Sequence, residues 1–367
     1  MLSKIIIRSI CVVVVLFSGF ACDPLVNTFA DTEDAVLYEA HDIVNYPAQD
    51  TIKVMTWNIR FGAARLPWFG DDCGDMVILK KSSVISNLEA LAQKIELEDP
   101  DILFLQEVDV ESKRTAYINQ VQWLLNHTGF NYSAFASMWE SQVILADGLG
   151  RINTGNAILS KWKLEDAERL QLPLRGDQDK LTQYFYLRRN VLKASVRLPG
   201  TSNLFAVNVH ATAFATDDTK LKHMERFKEI LDEIVIQGGN FVAGGDLNEL
   251  PPNAGKTDFC LEDRCEGEIF HQTGKTPYHR EGSSFETEIT WLQPLYDTYT
   301  PAVSLSSNGE NESTYFTHSP GQRPMLDRKL DYLWTNLSWV PGTRITHQEV
   351  KLLSDHVPVS AKWVVTE

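Results

Sequence analysis

Several apolar, β-rich runs in this chain end in, or carry, a polar side chain able to do chemistry. Asn58 closes IKVMTWN, Glu107 follows ILFLQ, His210 follows NLFAVNV, Asp246 ends NFVAGGD with Asn248 two residues on, and Asp331 lies in KLDYLWT. Ser354, Asp355 and His356 stand immediately before VPVSAKWVV. A buried strand holds the side chain at its end still, which is what a reacting group needs. Asn58, Glu107 and Asp355 offer the hard oxygen ligands that Mg²⁺ takes, with Mn²⁺ as the alternative, and such an ion keeps waters that a phosphate oxygen can replace. Taken singly, each residue reads as a turn residue or a helix cap, and Glu107 as a salt-bridge partner of Lys113 or Arg114. Their joint occurrence points to one site.

The elements that would position them alternate between strand and helix. IKVMTWN (52–58) and ILFLQ (102–106) read as buried strands. Between them Val84, Ile85, Leu88, Leu91, Ala92 and Ile95 recur at helical spacing, and Pro100 ends that helix. A second helix is expected at about 115–126, ending at Gly129. Further strands are expected at 155–160, 190–198 and 203–209, the last two joined as a hairpin across Pro199-Gly200. Leu221, Met224, Phe227, Ile230, Leu231 and Ile234 predict a third helix over 218–236, closed by Gly238-Gly239. NFVAGGD, KLDYLWT and VPVSAKWVV supply the later strands, and 251–288 reads as a long insertion loop. No linker divides the halves, so one α/β domain is expected over 51–367.

Composition narrows the function. The 367 residues are 43% hydrophobic and 10% aromatic, which excludes a disordered chain, a collagen and a coiled coil. There are 34 basic and 49 acidic residues, a net charge of −15, and the sequence pI is near 5.1. That balance disfavours a nucleic-acid binder. Lys4 and Arg8 followed by the apolar run Ser9–Ala21 read as a signal peptide over 1–21, shorter than a membrane span. Cys22 after Gly19 and Ala21 looks like the lipobox of bacterial lipoproteins; cleavage near Ala21 without lipid is the alternative. The mature chain would carry 32 basic against 49 acidic residues, a net −17. The polar, acidic stretch 22–50 reads as a tether, lipid-anchored in the lipoprotein reading. Export to the cell envelope, or secretion, is the expected location. Cys260 and Cys265 then either close a small disulfide, leaving Cys73 odd, or remain thiols.

The QE of PDILFLQEVD, the GDLN at 245–248, the SDHVPV at 354–359 and GNAILSK together resemble the endonuclease/exonuclease/phosphatase superfamily. The resemblance spans 52–364 in the family's order. It implies a four-layer sandwich in which two packed mixed β-sheets are flanked by helices, with the site at one sheet edge. It also implies that Asp331 pairs with His356, whose cation would face a phosphate oxygen as charge builds. Asp246 is the natural group to orient or deprotonate water, and Asn248 to hydrogen-bond the phosphoryl group; sequence alone leaves Asp246 and His356 free to exchange roles. His210 is read either as the acid for the leaving oxygen or as a core histidine bonded to a backbone carbonyl. His210 in VNVHAT and Arg60 in WNIR depart from the abasic-site endonuclease pattern.

Other signals are weaker. Thr273-Gly274-Lys275-Thr276 has the end of a P-loop without its first glycine or preceding strand. Arg151, Arg188 and Arg189 are read as surface ion pairs with phosphate holding as the alternative, and Trp68 and Phe69 as an aromatic plug with substrate or lipid contact as the alternative. The resulting expectation is a monomeric, exported, Mg²⁺-dependent hydrolase of phosphodiester or phosphomonoester bonds. Phospholipid head groups or small phosphoesters are preferred over nucleic acid. A secreted deoxyribonuclease-type nuclease and a non-catalytic surface-binding lipoprotein are the rivals.

Overall fold

The computed structural model describes residues 25–70, 73–265, 283–321 and 324–365. The signal run, Cys22 and Thr273–Thr276 lie outside the described residues. The strands are β1 (Thr32–Asp34), β2 (Val36–Glu39), β3 (Thr51–Asn58), β4 (Ile102–Asp109), β5 (Tyr132–Ile144), β6 (Gly150–Ser160), β7 (Leu164–Gln171), β8 (Asn190–Val196), β9 (Leu204–His210), β10 (Asn240–Asp246), β11 (Thr300–Pro301), β12 (Asp331–Thr335), β13 (Ile345–Thr346) and β14 (Val359–Val364). The helices are α1 (Lys81–Glu98), α2 (Gln120–Leu125), α3 (Lys180–Phe185), α4 (Thr219–Ile236), α5 (Gln293–Thr298) and α6 (Leu305–Glu310). Two seven-stranded mixed sheets form, ordered β13-β14-β3-β4-β6-β5-β2 and β1-β7-β8-β9-β10-β12-β11.

Three apolar layers hold the sandwich together. Ile52, Val54, Ile102, Phe104, Leu192, Ala194, Ala206 and Val242 fill the space between the sheets. On one outer face Met55, Trp57, Leu103 and Leu105 pack with Val84, Leu88, Leu91 and Ile95 of α1. On the other, Val207, Val209 and Phe241 pack with Met224, Phe227, Leu231 and Ile234 of α4. Strands buried on both faces must be apolar at every position, and that is what made them readable in the sequence. α1 ends where Asp99 takes a left-handed φ of 46° before Pro100. α4 ends at Gly238, with φ 75° and its N–H bonded to the Val235 carbonyl. No helix among the described residues is long and apolar enough to cross a membrane.

Three expectations are corrected. The stretch read as a tether is not free chain from Val26 onward: β1 pairs antiparallel with β7 and β2 with β5, so 32–39 extends an edge of each sheet. Short, acidic edge strands lack the apolar run that marks a central one. The helix expected at 115–126 is only Gln120–Leu125, N-capped by the Asn119 side chain, because Ala116 and Tyr117 take φ values of 57° and 60° that no helix accommodates. Finally, the disulfide joins Cys73 to Cys265, 192 residues apart, and not Cys260 to Cys265. Cys260 is buried, 2% exposed, next in sequence to Phe259 of the small Leu250–Phe259–Phe285–Leu330 cluster, while Cys265 lies beyond that cluster and meets the loop after β3.

A cross-link closing so long a loop restricts the unfolded chain strongly. Cys73→Ser is therefore expected to cost about 2–4 kcal/mol of stability, measured by denaturant unfolding. Wild-type protein unfolding at the same midpoint with and without reductant would remove the cross-link from the stability account.

Candidate active site

All the strand-end residues meet at one edge of the sandwich. β3 and β4 run parallel with Asn58 beside Gln106, while β9 and β10 run parallel with His210 beside Asp246. β12 is antiparallel to β10 and begins at Asp331, opposite Asp246. The ends of both sheets therefore deliver their polar side chains to one cleft. Gly245, at φ 141°, allows the close strand approach, since a Cβ there would stand 1.9 Å from the Val209 carbonyl oxygen. Beneath the cleft the sheets are pinned by buried amides: Gln106 Nε2 donates to Asn208 Oδ1 at 2.7 Å, and Asn208 Nδ2 donates to the carbonyls of Leu105 and Ala157 at 2.8 Å each.

Glu107 reaches the cleft through a bulge. The β4–β6 register shifts between Leu105 and Val108, and Glu107 takes φ 57°, a conformation that a non-glycine residue holds only where its surroundings enforce it. Asn58 Nδ2 donates to Glu107 Oε1 at 3.2 Å and to Asp246 Oδ2 at 3.1 Å. The Ser354–His356 turn is tied to β3, with Ser354 Oγ donating to the Asn58 carbonyl at 2.8 Å and Trp57 Nε1 to the His356 carbonyl at 3.1 Å. Asp355 Oδ2 lies 3.5 Å from Arg60 Nε. His356 Nδ1 is 2.8 Å from Asp331 Oδ2, and its Nε2 is 3.5 Å from Asp246 Oδ2. His210 Nε2 approaches the same Asp246 oxygen at 3.4 Å and Glu107 Oε1 at 3.9 Å. Asn248, at φ 51°, donates through Nδ2 to the Ala211 carbonyl at 3.1 Å and through its backbone N–H to Asp246 Oδ1 at 3.0 Å.

Electrostatics separate the groups. Burial alone would lower the His356 imidazole, but Asp331 and Asp246 outweigh it and raise its pKa to about 10, so the ring is a cation at neutral pH. Burial, opposed by His356, pushes the Asp246 carboxyl up to about 6. Burial would also raise Asp355, yet Arg60 and His356 hold it below the usual carboxylate value. Burial, reinforced by Arg189, drives His210 well below its ordinary value and keeps it neutral. His210 Nδ1 is buried without a hydrogen-bond partner, so this ring is not a core histidine tied to a carbonyl. His223 is: its Nε2 lies 2.8 Å from the Pro173 carbonyl.

Glu107, His210, Asp246, Asn248, Asp355 and His356 all line one cavity of about 100 Å³. Among the further residues that line it, Arg189 was discounted by sequence reasoning and His318 passed over. Arg189 is no surface ion pair: it is buried, lines the cavity, and its Nε has no partner. Arg151 does pair on the surface, with Glu111 at 2.9 Å. His318 sets its ring 4.3 Å from that of His356, tilted by 43°; it sits in a loop without strand pattern, so nothing in the sequence marked it. Trp68 packs edge-on against Phe61 at 5.0 Å with Arg114 over the Phe61 ring, which makes it a plug.

Glu107 and Asp355 offer carboxylate oxygens that suit a divalent ion, and Asp355 is held ionised; Asn58 joins them only once its amide turns its oxygen, which here accepts from the Arg60 N–H at 3.0 Å, toward Glu107. Among the described residues three groups of side chains are close enough to share an ion: His318 with Asp355 and His356, Asp246 with Asp331 and His356, and Glu98 with His347 and Glu349. The first two include His356, whose positive charge opposes a metal there, and in the third Lys53 and Lys94 already pair with the carboxylates.

Residues 55–356 match the sequence model of the endonuclease/exonuclease/phosphatase family. Among solved structures, an endonuclease/exonuclease/phosphatase from Beutenbergia cavernae is similar in fold, with a TM-score of 0.54 at 18% identity over 86% of this chain and 72% of its own. A functionally unknown conserved protein from Enterococcus faecalis (TM-score 0.49, 18% identity, 85% and 100% covered) and an AP endonuclease from Archaeoglobus fulgidus (0.49, 17%, 84% and 98%) are more distant. No curated protein matches the chain.

Proposed function

Because this chain belongs to the endonuclease/exonuclease/phosphatase family, whose members hydrolyse phosphate esters, we propose that it is an Mg²⁺-dependent phosphoesterase, exported and anchored through Cys22, that acts on phospholipid head groups or small phosphoesters. The observation that carries the reaction is His356, paired with Asp331 at 2.8 Å behind it, meeting Asp246 in one cavity with Glu107 and Asp355. An ion held by Asn58, Glu107 and Asp355 would supply Lewis-acid stabilisation of the phosphoryl charge. The other steps fall to side chains. Asp246, with its pKa near 6, takes a proton from water as the water oxygen bonds to phosphorus. The His356 cation donates from Nε2 to a non-bridging oxygen, and the ester P–O bond breaks. His210, kept neutral, gives the departing oxygen a hydrogen bond from Nε2, and that oxygen, which leaves with the bonding pair, takes its proton from solvent; His210 does not act as a cationic acid. Asn248 retains a second Nδ2 hydrogen for the phosphoryl group.

Charge supports a small phosphoester over a duplex. DNA affinity comes from several Lys and Arg neutralising phosphates at once. Of the two arginines that line the cavity among the described residues, Arg328 is already paired with Asp263 and Asp327, which leaves Arg189. One arginine serves one phosphate. The test is a panel with Mg²⁺: plasmid DNA, sphingomyelin, glycerophospholipids, inositol phosphates and bis-p-nitrophenyl phosphate. The highest kcat/KM is expected on a lipid or small phosphoester. Plasmid as the best substrate would replace this reading with a nuclease, and no turnover on any of them would leave a binding lipoprotein.

A further inference from the structure

We propose that the edge carrying the active site is also a lipid-docking surface, formed by the β5–β6 hairpin tip, Leu25 and the connection from β7 to β8. The proposal rests on the lipid reading above and adds the surface that would bring the site to its substrate.

The hairpin stands on the active-site edge. β6 pairs with β4 as far as Asp109 opposite Thr154, then continues through Asn153–Gly150 beyond the end of β4. That places the tip on the Glu107 side of the sheet, about 13 Å past the last pair at the usual rise per residue. The β7–β8 connection lies on the same edge, because β8 begins at Asn190, next to Val191 opposite Val209 near the end of β9. Trp139 of the hairpin donates to the carbonyl of Phe185 in that connection at 2.8 Å.

The start of the described chain is fastened to this hairpin. Val26 bridges to Ser141, Gln142 N–H donates to the Leu25 carbonyl at 3.0 Å, and Ser141 Oγ donates to the same carbonyl at 2.8 Å. Cys22 precedes Leu25 by three residues, which reach about 10 Å at full extension. A lipid chain on Cys22 would therefore be tethered within that reach of Leu25.

Apolar side chains crown that edge. Leu145 is 83% exposed, Leu181 of α3 70% and Leu25 41%; Val143, two residues before Leu145, and Leu174, in the β7–β8 connection, are also exposed. Single exposed leucines are ordinary on soluble proteins, and Ile236, at the far edge, is one of them. What sets these apart is that they share the edge where the chain from Cys22 enters the fold and where the phosphoester site opens. Charges around the tip, Lys113 and Arg151 against Glu111 and Asp147, nearly balance. A zwitterionic surface, entered by apolar side chains, fits better than an anionic one.

The apolar clusters contain no residue before Ala35, so residues 23–367 retain the described core and can be tested without a lipid anchor. Flotation with phosphatidylcholine vesicles is expected to carry this protein. The Leu145→Ser/Leu181→Ser double variant should partition about tenfold to a hundredfold less, with unchanged kcat/KM on bis-p-nitrophenyl phosphate, and Ile236→Ser should float like wild type. Failure of the unmodified protein to float, equal flotation of the double variant, or an equal loss in Ile236→Ser overturns the surface. Flotation that depends on Leu145 and Leu181, without hydrolysis of any phosphoester, would uphold the surface and overturn the enzymatic reading instead.

Discussion

Glu107→Ala is expected to lower kcat/KM by about a thousandfold or more, while the protein unfolds at nearly the wild-type denaturant midpoint. The size follows from charge. Several kcal/mol of transition-state stabilisation from a bound ion correspond to at least three factors of ten in rate, and Glu107 is the carboxylate that the β4 bulge delivers to the cleft. Asn58, its neighbour at 3.2 Å, carries no charge, and Asp355 is partly neutralised by Arg60 at 3.5 Å, so neither replaces it. Stability should hold because the Glu107 side chain is only partly buried and packs into no apolar cluster. Excess chelator should have the same effect on the wild-type enzyme, reversed by Mg²⁺. Undiminished turnover in chelator, or an alanine variant within tenfold of wild type, would remove the metal from the mechanism.

The same contrast between strand ends and loops explains what the sequence disclosed. Asn58, Glu107, His210, Asp246 and Asp331 were legible because each adjoins an uninterrupted apolar run, and such a run is buried on both faces wherever it lies in a sandwich. Its end must therefore emerge at a sheet edge. β5 and β7 were missed for the opposite reason. YSAFASMWESQVI and LEDAERLQ alternate irregularly and carry charge, because each runs beside a short edge strand and turns polar side chains outward. Arg189 follows Arg188 in a polar stretch, and only the tertiary packing reveals which of them lines the cavity. His318 reaches His356 by an isolated bridge between two loops, a contact 38 residues apart that no local period announces. Cys73 and Cys265 belong with these, since cysteine spacing alone does not fix a pairing.

The second large effect is expected at the His356–Asp331 pair. His356→Ala should lower kcat by about 10² to 10⁴, the usual span for a lost acid–base or charge-stabilising group, and leave KM within a few-fold, because its interaction strengthens as phosphoryl charge develops. Asp331 is a positioning residue. It is fully buried and does not line the cavity, so it acts through its charge, on His356 by the 2.8 Å contact to Nδ1 and on Asp246, whose carboxyl it helps to raise. Burial by itself disfavours the imidazolium, and Asp331 is the foremost of the charges that reverse this. Asp331→Asn keeps the shape and removes the charge, so the ring should become neutral more readily and kcat should fall with little change in KM. Breaking a buried pair by neutralising one partner also destabilises the fold, by about 3–5 kcal/mol at most, which denaturant unfolding of the variant will register separately. The two readouts divide the alternatives. Loss of stability with kcat preserved would make Asp331 a structural partner only, and would assign the His356 cation to Asp246, 3.5 Å from Nε2. That would leave Asp246 unable to serve as the base, because the carboxylate that holds the cation cannot also take the water's proton without discharging it.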